Sequence, residues 1–325
     1  MNDFQPIQSN SHAMDVCVIG ELLVDFLPET RGPLSAVHGF EVHSGGAPAN
    51  VAIGVAQLGG RACLISRIGA DAFGQFALGR LQAEGVDCTR VVALPTTQTG
   101  LCFISLDADG ERSFTHRGGD PFGGLTVADL DMDVIGTAKA ISFSCGALRS
   151  EQSYEAVKAA AAVCKGLVCC DPGGFPDAWG DRKEISHRIR LVAGDCDVFK
   201  CSAEEAKAYF DITTPREAVL HIHKMGCRLA VVTAGDDGAY FASDMGSGHT
   251  RPPQVNVVDT TGAGDAFMAG LIYRLTATLS GLASMDLETL QSHIQFACQT
   301  GAAAITQLGA VKGLGLFAAK RTQPG

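Results

Sequence analysis

The stretch VVDTTGAGDAFMAG, residues 257–270, joins a short β-branched run to a helix-like run through two threonines, two glycines and a carboxylate. It lacks the lysine of a Walker A loop, and Phe267 stands where a dinucleotide fingerprint needs its third glycine. Gly262 and Gly264 let the backbone curl closely, so that successive N–H groups point one way at a helix N-terminus that already carries partial positive charge. The stretch therefore predicts an anion-binding turn between a strand and a helix.

The carboxylate of Asp265 leaves two interpretations of this turn. In the first, the glycines only tighten the connection and Asp265 compensates the helix dipole. In the second, the carboxylate orients an accepting hydroxyl and takes its proton, while donors neutralise the charge of a transferred phosphoryl group. A carboxylate beside an anion site repels the anion unless it acts on a neighbouring group, so the combination favours phosphoryl transfer.

Strand-like and helix-like segments alternate along most of the chain. DVCVIG, residues 15–20, is a short apolar run that ends in glycine, which is typical of a buried strand. GGAPANVAIGVAQLGG, residues 45–60, continues with apolar positions at helical spacing and closes on a glycine pair. The rhythm resumes after residue 125 and runs to helices after Ala263. It predicts an α/β fold, with a doubly wound, mostly parallel sheet and helices on both faces.

A hairpin-like segment interrupts this rhythm at residues 99–119, TGLCFISLDADGERSFTHRGG. Two extended runs flank residues 108–110, whose Ala-Asp-Gly sequence is typical of a hairpin turn. We expect these strands to stand off the main sheet together with the extended segment after Asp25. The sequence therefore predicts a small β-sheet lid built from about residues 21–44 and 98–118.

Charge and composition narrow the partners and the location. Lys plus Arg number 25 against 35 Asp plus Glu, a formal net charge of −10, and the absence of a basic block disfavours nucleic acid and acidic membranes as partners. No apolar run reaches the roughly 20 residues of a membrane span, and the 12 cysteines are scattered like reduced thiols, so we predict a cytoplasmic protein. Residues 15–320 should form the α/β domain, after a polar, disordered or tag-like extension over 1–14.

Several segments carry a resemblance to one family. VVDTTGAGDAFMAG resembles the C-terminal signature of the ribokinase-like (PfkB) carbohydrate kinases, and GGAPANVAIGVAQLGG followed by SRIGADAFG resembles their N-terminal signature. GELLVDF, DADGERSFTHR, FKCSAEE, VVTAGDDGAYF and GAAAITQLGA are also similar and follow the family's order from about residue 15 to 318. The resemblance implies the ribokinase-like fold with its lid, and transfer of the ATP γ-phosphate to a sugar hydroxyl.

The resemblance assigns the chemistry of the turn. It makes Asp265 the general base toward the sugar hydroxyl. The amides that would hold the transferred phosphoryl group are those of Gly262, Ala263 and Gly264. Asp259 and Thr261 would lie at a site for a monovalent cation such as K⁺. The alternative role for Asp259 is to form a turn through its side chain.

The same resemblance assigns the sugar site. Asp25 matches the position whose carboxylate grips sugar hydroxyls, and Gly45, Gly46 and Asn50 match the sugar-facing glycine pair and amide. A carboxylate and an amide suit a neutral polyol, which offers only hydroxyls. The alternative for Asn50 is a helix-capping amide.

FKCSAEE resembles the N-x-x-E element that orders Mg²⁺ and its waters around the nucleotide phosphates. Ser202 replaces the asparagine and Glu205 keeps the acid. By the same resemblance, Lys200 would add positive charge toward the phosphates. Glu205 would act through magnesium-bound waters, and its alternative is a solvated helix face. Positions that match the nucleotide lining are Thr233, Gly235, Gly238 and Cys298, where Cys298 stands in place of a common adenine-side asparagine.

One segment departs from the resemblance. Fructokinase-like members usually read D-P-N-x-R-x-x-x-W after the middle strand, whereas this chain reads DPGGF at residues 171–175, before Trp179. The amide and the arginine are lost. If that arginine serves substrate or phosphate, Arg117 or Arg112 from the hairpin must replace it, or the substrate differs.

Taken together, the motifs imply an ATP- and Mg²⁺-dependent sugar kinase whose best-matching subgroup phosphorylates fructose. 2-Keto-3-deoxygluconate and ribose are the alternative substrates, and a non-catalytic sugar- or nucleotide-binding regulator is the alternative of another class. The lid would exclude water from the reaction, and its exposed strands predict a homodimer.

Overall fold

The structure, a computed structural model, describes residues 13–106, 112–118, 124–174, 182–278 and 282–322. The predicted turn at residues 108–110 lies outside this part of the chain, as do Phe175, Trp179, residues 1–12 and the side chain of Arg112. Within the described ranges, no helix is both long enough and apolar enough to cross a membrane.

The described chain contributes nine strands to the main sheet. They are β1 (Val16–Ile19), β4 (Ala62–Gly69), β5 (Asp87–Leu94), β8 (Ala140–Phe143), β9 (Leu167–Cys170), β10 (Val198–Ser202), β11 (Leu229–Thr233), β12 (Ala239–Ser243) and β13 (Gly246–Thr250). Their order is β13-β12-β11-β10-β9-β8-β1-β4-β5. Only β12 runs antiparallel to its two neighbours, so the prediction of a mostly parallel sheet is confirmed.

Helices cover both faces of this sheet. They are α1 (Ala47–Gln57), α2 (Ala72–Ala83), α3 (Met132–Thr137), α4 (Glu151–Val163), α5 (Arg182–Asp195), α6 (Ala203–Phe210), α7 (Pro215–Lys224), α8 (Ala263–Ala277), α9 (Leu287–Ala304) and α10 (Lys312–Thr322). Alternate residues of β1 point to opposite faces: Val16 and Val18 join a core with α1, α2, α8 and α9, and Cys17 and Ile19 join one with α3 to α7. The doubly wound arrangement is therefore confirmed.

A second, four-stranded sheet has the order β3-β2-β6-β7. Its strands are β2 (Leu23–Pro28), β3 (Phe40–Gly45), β6 (Gly100–Leu106) and β7 (Arg112–Arg117), which come from the two segments expected to form a lid. The inner strands β2 and β6 are parallel, and each pairs antiparallel with an outer strand. Leu23, Leu27, Cys102 and Ile104 form its own small core, so the sheet is a separate packed unit.

The order of the main sheet fixes where a site can form. From β1 the chain moves to β4 and β5 on one side, and later to β8, β9 and β10 on the other, so the order reverses between β1 and β8. Ligands of open α/β sheets bind at such a switch point, outside the carboxyl ends of the strands. This edge carries several polar side chains. Ser144 and Asp171 directly follow β8 and β9, and Glu21 follows β1 after one intervening residue.

Helices α8 and α9 approach closely at one glycine, which gives a test of this packing. A Cβ atom at Gly270 would clash with Oγ1 of Thr300, which is fully buried. Gly270→Ala should therefore lower the free energy of unfolding by about 1–3 kcal/mol through overpacking. The measurement is the urea midpoint at unchanged slope.

The control for this change is another helical glycine. Gly79 lies exposed inside α2, and nothing stands within 4 Å of a Cβ atom placed on it, so Gly79→Ala should stabilise by about 0.5–1 kcal/mol. A Gly270→Ala variant as stable as the Gly79→Ala variant would contradict the close packing of α8 on α9.

Candidate active site

The glycine turn at the start of α8 has the geometry of an anion site. Gly262 adopts φ 75°, in the left-handed region, and a Cβ atom there would lie 2.5 Å from the carbonyl oxygen of Ala310. Both features require glycine. A Cβ atom at Gly264 would lie 2.7 Å from Nζ of Lys200, so an ammonium stands beside the first turn of the helix. Its charge adds to the partial positive charge of the free N–H groups there.

Asp265 lies in this first turn and is held by a residue from far along the chain. Nδ2 of Asn50, in α1, donates to Oδ2 of Asp265 at 2.8 Å. Asn50 is buried, and its Oδ1 atom has no hydrogen-bond partner among the described residues, which leaves an acceptor for a ligand hydroxyl. The helix-capping alternative for Asn50 is wrong, because its amide bonds a side chain on another helix.

The pKa of Asp265 is raised to about 6, first by burial and then by the charge of Asp171. The hydrogen bond from Asn50 and the charge of Lys200 act in the opposite direction. Asp265 is therefore ionised above about pH 6 and binds a proton readily below it. A general base works best with a pKa near the operating pH, so this carboxylate suits proton removal from a hydroxyl.

Lys200 forms a buried ion pair behind the turn. Its Nζ atom lies 2.8 Å from Oδ2 of Asp171, and both side chains are buried. Burial acts to lower the pKa of Lys200, but the carboxylates of Asp171 and Glu205 raise it above the ordinary value, so the ammonium stays charged. Asp171 is the first residue of the DPGG segment, which therefore fixes the cation beside the anion turn.

Glu205 is hydrogen-bonded both to the start of its own helix and to the DPGG segment. Its Oε2 atom accepts from the Ser202 amide at 2.7 Å, and Oγ of Ser202 accepts from the Glu205 amide at 3.1 Å, which is a capping box at the start of α6. Its Oε1 atom accepts from the Gly174 amide at 2.8 Å, and the Tyr209 hydroxyl donates to the Gly174 carbonyl. Glu205 is only 6% exposed, so the solvated-face alternative is wrong. Burial raises its pKa to about 7.

The sugar-site candidates lie between the small sheet and α1. Burial, followed by the charge of Asp265, raises the pKa of Asp25 to about 7, so these two carboxylates are neighbours. A Cβ atom at Gly45 would clash with the carboxylate of Asp25, which crosses over that residue. Gly46 has φ 104°, and a Cβ atom there would lie 2.6 Å from the carbonyl oxygen of Glu21. The glycine pair thus leaves room for a carboxylate and for a tight backbone approach.

The cation-site candidates Asp259 and Thr261 form a turn that directly precedes the glycine turn in the chain. Oδ1 of Asp259 accepts from the amide of Thr261 at 3.0 Å and from its hydroxyl at 2.7 Å, and Oδ2 accepts from the Gly309 amide at 2.9 Å. Asp259 therefore does form the turn considered as its alternative role. The cation assignment of Asp259 and Thr261 stays a prediction.

The nucleotide-side candidates are brought together around Thr250. A Cβ atom at Gly238 would clash with the carbonyl oxygen of Thr250, whose hydroxyl lies 3.2 Å from Sγ of Cys298. Cys298 is buried, and Thr233 and Gly235 precede the tight turn that leads to Gly238. A groove of about 270 Å³ borders this turn and is lined by Asp236, Asp237, Arg251, Pro252 and Gln254.

Arg117 is the last residue of β7 and pairs with Leu101 of β6. It is exposed on β7, and its guanidinium donates to the carbonyl oxygen of His116 at 2.8 Å. Its sugar role stays a prediction. The motifs gave no role to Glu21, which lies in GELLVDF, and did not predict the pairing of Asp171 with Lys200. A signal was available, since each acidic residue follows a short buried strand at the edge where a site is expected.

The site combines the glycine turn at the start of α8, the Asp265 carboxylate and the Lys200 ammonium on a doubly wound sheet. This combination is typical of α/β enzymes that act on phosphate-bearing and polar small molecules. Comparison with known families matches residues 13–314 to the family described as pfkB family carbohydrate kinase. The chain therefore belongs to the pfkB family of carbohydrate kinases.

Individual relatives cover nearly the whole chain. Fructokinase-1 of Oryza sativa subsp. japonica is 35% identical over 306 residues, covering 92% of this chain and 94% of its own. Fructokinase from Vibrio cholerae O395, solved with fructose, ADP and calcium, is 31% identical with TM-score 0.81 and covers 92% and 95%. A putative ribokinase II from E. coli, solved with ATP and Mg²⁺, is 26% identical with TM-score 0.81 and covers 94% and 99%.

The hydrogen bond between Asn50 and Asp265 predicts a measurable pKa change. Asn50→Ala removes a donor to the charged carboxylate, so the pKa of Asp265 should rise above about 6. Carbon NMR titration of the labelled carboxyl group measures it directly. Asn256→Ala, at an exposed loop position, is the control and should leave the titration unchanged. An unchanged or lower pKa in Asn50→Ala would contradict the assigned contact.

Proposed function

We propose that this ATP-dependent sugar kinase phosphorylates fructose. The observation that carries the proposal is the ionisable Asp265 carboxylate beside the Gly262–Gly264 turn, with the Lys200 ammonium next to it. Fructokinases among the relatives support fructose as the sugar. The substrate fits because Asp25 and Oδ1 of Asn50 offer acceptors for hydroxyl groups from two sides.

In the proposed reaction, Asp265 orients the accepting sugar hydroxyl and takes its proton as the new O–P bond forms. The turn amides and Lys200 neutralise charge on the transferred phosphoryl group, and ADP leaves with the electrons of the broken bond. Mg²⁺ would be held through its waters by Glu205, whose oxygens have further lone pairs, and would neutralise the nucleotide phosphates. K⁺ at Asp259 and Thr261 would support the turn.

The charge of the site favours a neutral sugar over an acidic one. The charge of Asp265 raises the pKa of Asp25, and the charge of Asp171 raises the pKa of Asp265. Lys200, the cation of this group, is already paired with Asp171 at 2.8 Å. The carboxylate of 2-keto-3-deoxygluconate would be repelled here, which places that alternative below fructose. The base and its turn are intact, so a non-catalytic regulator is disfavoured as well.

We also propose that the four-stranded sheet is the lid of this site and the contact between two copies of the chain. Its outer strands β3 and β7 carry the exposed apolar side chains Val42 and Phe114. A second copy would cover both these side chains and the free strand edges. Light scattering that gives the mass of a single chain would contradict the dimer.

The cytoplasmic location stays a prediction.

The function is tested by measuring ADP release from ATP and Mg²⁺ with fructose, ribose, 2-keto-3-deoxygluconate, glucose, adenosine and tagatose. We expect fructose to be the preferred substrate. Asp265→Asn should lower kcat by about 10²–10⁴-fold, the typical contribution of a general base, and leave fructose binding largely in place. Turnover on another sugar would overturn the substrate, and full activity of Asp265→Asn would overturn the base.

A second change tests the sugar site without removing a charged group. Gly45→Ala puts a methyl group where the Asp25 carboxylate lies and should raise the KM for fructose at least about tenfold, with the KM for ATP within about twofold. Ser44→Ala is the control, since its side chain points to the other face of β3. An unchanged KM for fructose in Gly45→Ala would show that Asp25 does not hold the sugar.

A further inference from the structure

We infer that Glu21 is a positioning residue for phosphoryl transfer: its carboxylate anchors the first turn of α1, and that turn carries the asparagine that orients Asp265. The inference rests on the proposed function for its kinetic consequences, whereas the anchoring itself is a property of the fold. Glu21 lies in the GELLVDF motif, but neither the resemblance nor the proposed reaction gives it a role.

The carboxylate of Glu21 is buried between the ends of two strands and the start of α1. It follows β1 directly after Gly20 and is 4% exposed. Oγ of Ser144, at the end of β8, donates to Oε2 at 3.1 Å and lies 3.5 Å from Oε1. The Glu21 side chain also packs on the start of α1, since a Cβ atom at Gly46 would lie 3.2 Å from Cγ of Glu21, and the Ala47 amide is close enough to lower the pKa of Glu21. Glu21 therefore bridges the ends of two central strands and the first residue of α1.

The start of α1 needs such an outside partner. Its N-cap residue is Gly46, which has no side chain to accept from the free amides of the first turn. The Glu21 carboxylate lies close to the Ala47 amide, and a negative charge is favourable at a helix N-terminus. Backbone contacts seat the same turn: a Cβ atom at Gly20 would lie 2.5 Å from the ring of Pro48. The helix start is thus fixed on the residues that end β1.

The first turn of α1 transmits this position to the base. The amide of Asn50 donates to the carbonyl oxygen of Gly46 at 2.9 Å, and Nδ2 of Asn50 donates to Asp265 at 2.8 Å. A helix start that moves by a fraction of a hydrogen-bond length therefore moves the donor that holds the reacting carboxylate. Because small misplacements of catalytic groups are costly, the loss of this anchor should slow the transfer step rather than weaken nucleotide binding.

The charged groups around Glu21 make its presence costly for stability alone. Asp265 faces it from α8, and the thiol of Cys145 faces it from the turn after β8. Burial, the larger cause, and the nearby Asp265 together raise the pKa of Glu21 to about 7. A buried acid beside the catalytic base is the kind of arrangement that proteins retain at functional sites.

A double-mutant cycle on kcat tests the inference at saturating ATP and fructose. Glu21→Ala should lower kcat at least about tenfold, with the KM for ATP within about twofold. Because Glu21 acts through Asn50, adding Glu21→Ala to Asn50→Ala should lower kcat by less than about threefold more. Glu21→Gln keeps an acceptor oxygen at the helix start and should retain most of the activity. Multiplying effects, or an inactive Glu21→Gln with an active Glu21→Ala, would overturn the inference.

Asp286→Ala supplies the matched control. Asp286 caps α9 by accepting from the Thr289 amide at 2.7 Å and is exposed. Its removal also deletes a helix cap, but its effect on kcat should be small and should multiply with that of Asn50→Ala. Any general loss of stability would appear in both cap variants.

Hydrogen exchange separates this inference from the proposed function. The amides of residues 47–50 should exchange faster in Glu21→Ala than in the wild-type chain, and should stay protected in Glu21→Gln and Asp286→Ala. If the wild-type chain phosphorylates none of the sugars, the proposed function is wrong. The exchange rates of residues 47–50 would still test whether Glu21 anchors the helix start. Unchanged exchange at residues 47–50 in Glu21→Ala would overturn the anchoring.

Discussion

The site depends on an excess of buried negative charge around the Lys200 ammonium. Asp171, Glu205 and Asp265 raise the pKa of Lys200, and Glu21 and Asp25 are further buried carboxylates beside Asp265. Burial raises the pKa of each, because the protein interior solvates a charge less well than water does. The Asp265 carboxylate consequently accepts a proton near neutral pH. The same excess requires additional positive charge whenever nucleotide phosphates bind, which is the task proposed for Mg²⁺ and for the amides of the Gly262–Gly264 turn.

The fold brings these groups together by placing them at the ends of parallel strands. The side chains that follow β1, β8 and β9 meet at one edge because the order of the sheet reverses between β1 and β8. Helix α8 then points its amino end at that edge. Glycines permit the close approaches, as where Gly262 lies against Ala310 and where Gly45 makes room for the Asp25 carboxylate.

The sequence predicted the parts of this molecule that local patterns encode. Alternation of short apolar strands with helical periodicity gave the main sheet, and the turn at residues 257–270 gave the start of α8. The contact between Asn50 and Asp265 joins residues 215 positions apart, and no local pattern specifies it. The pairing of Lys200 with Asp171 was missed for the same reason. Whether Arg117 or Arg112 replaces the lost arginine, or the substrate differs, stays a prediction, and β7 carries Arg117 at an exposed position.

The central claim is that a buried carboxylate at the start of α8, with a raised pKa, takes the proton of the sugar hydroxyl. The pH dependence of kcat/KM for fructose at saturating ATP tests it most directly, since it reports essential ionisations of the enzyme before the sugar binds. We expect kcat/KM to fall with decreasing pH between about 7 and 6, because protonation of Asp25 weakens its acceptance of sugar hydroxyls and protonation of Asp265 removes the base. A midpoint near the ordinary value of an aspartate, about 4, or no acidic decrease at all, would contradict the account.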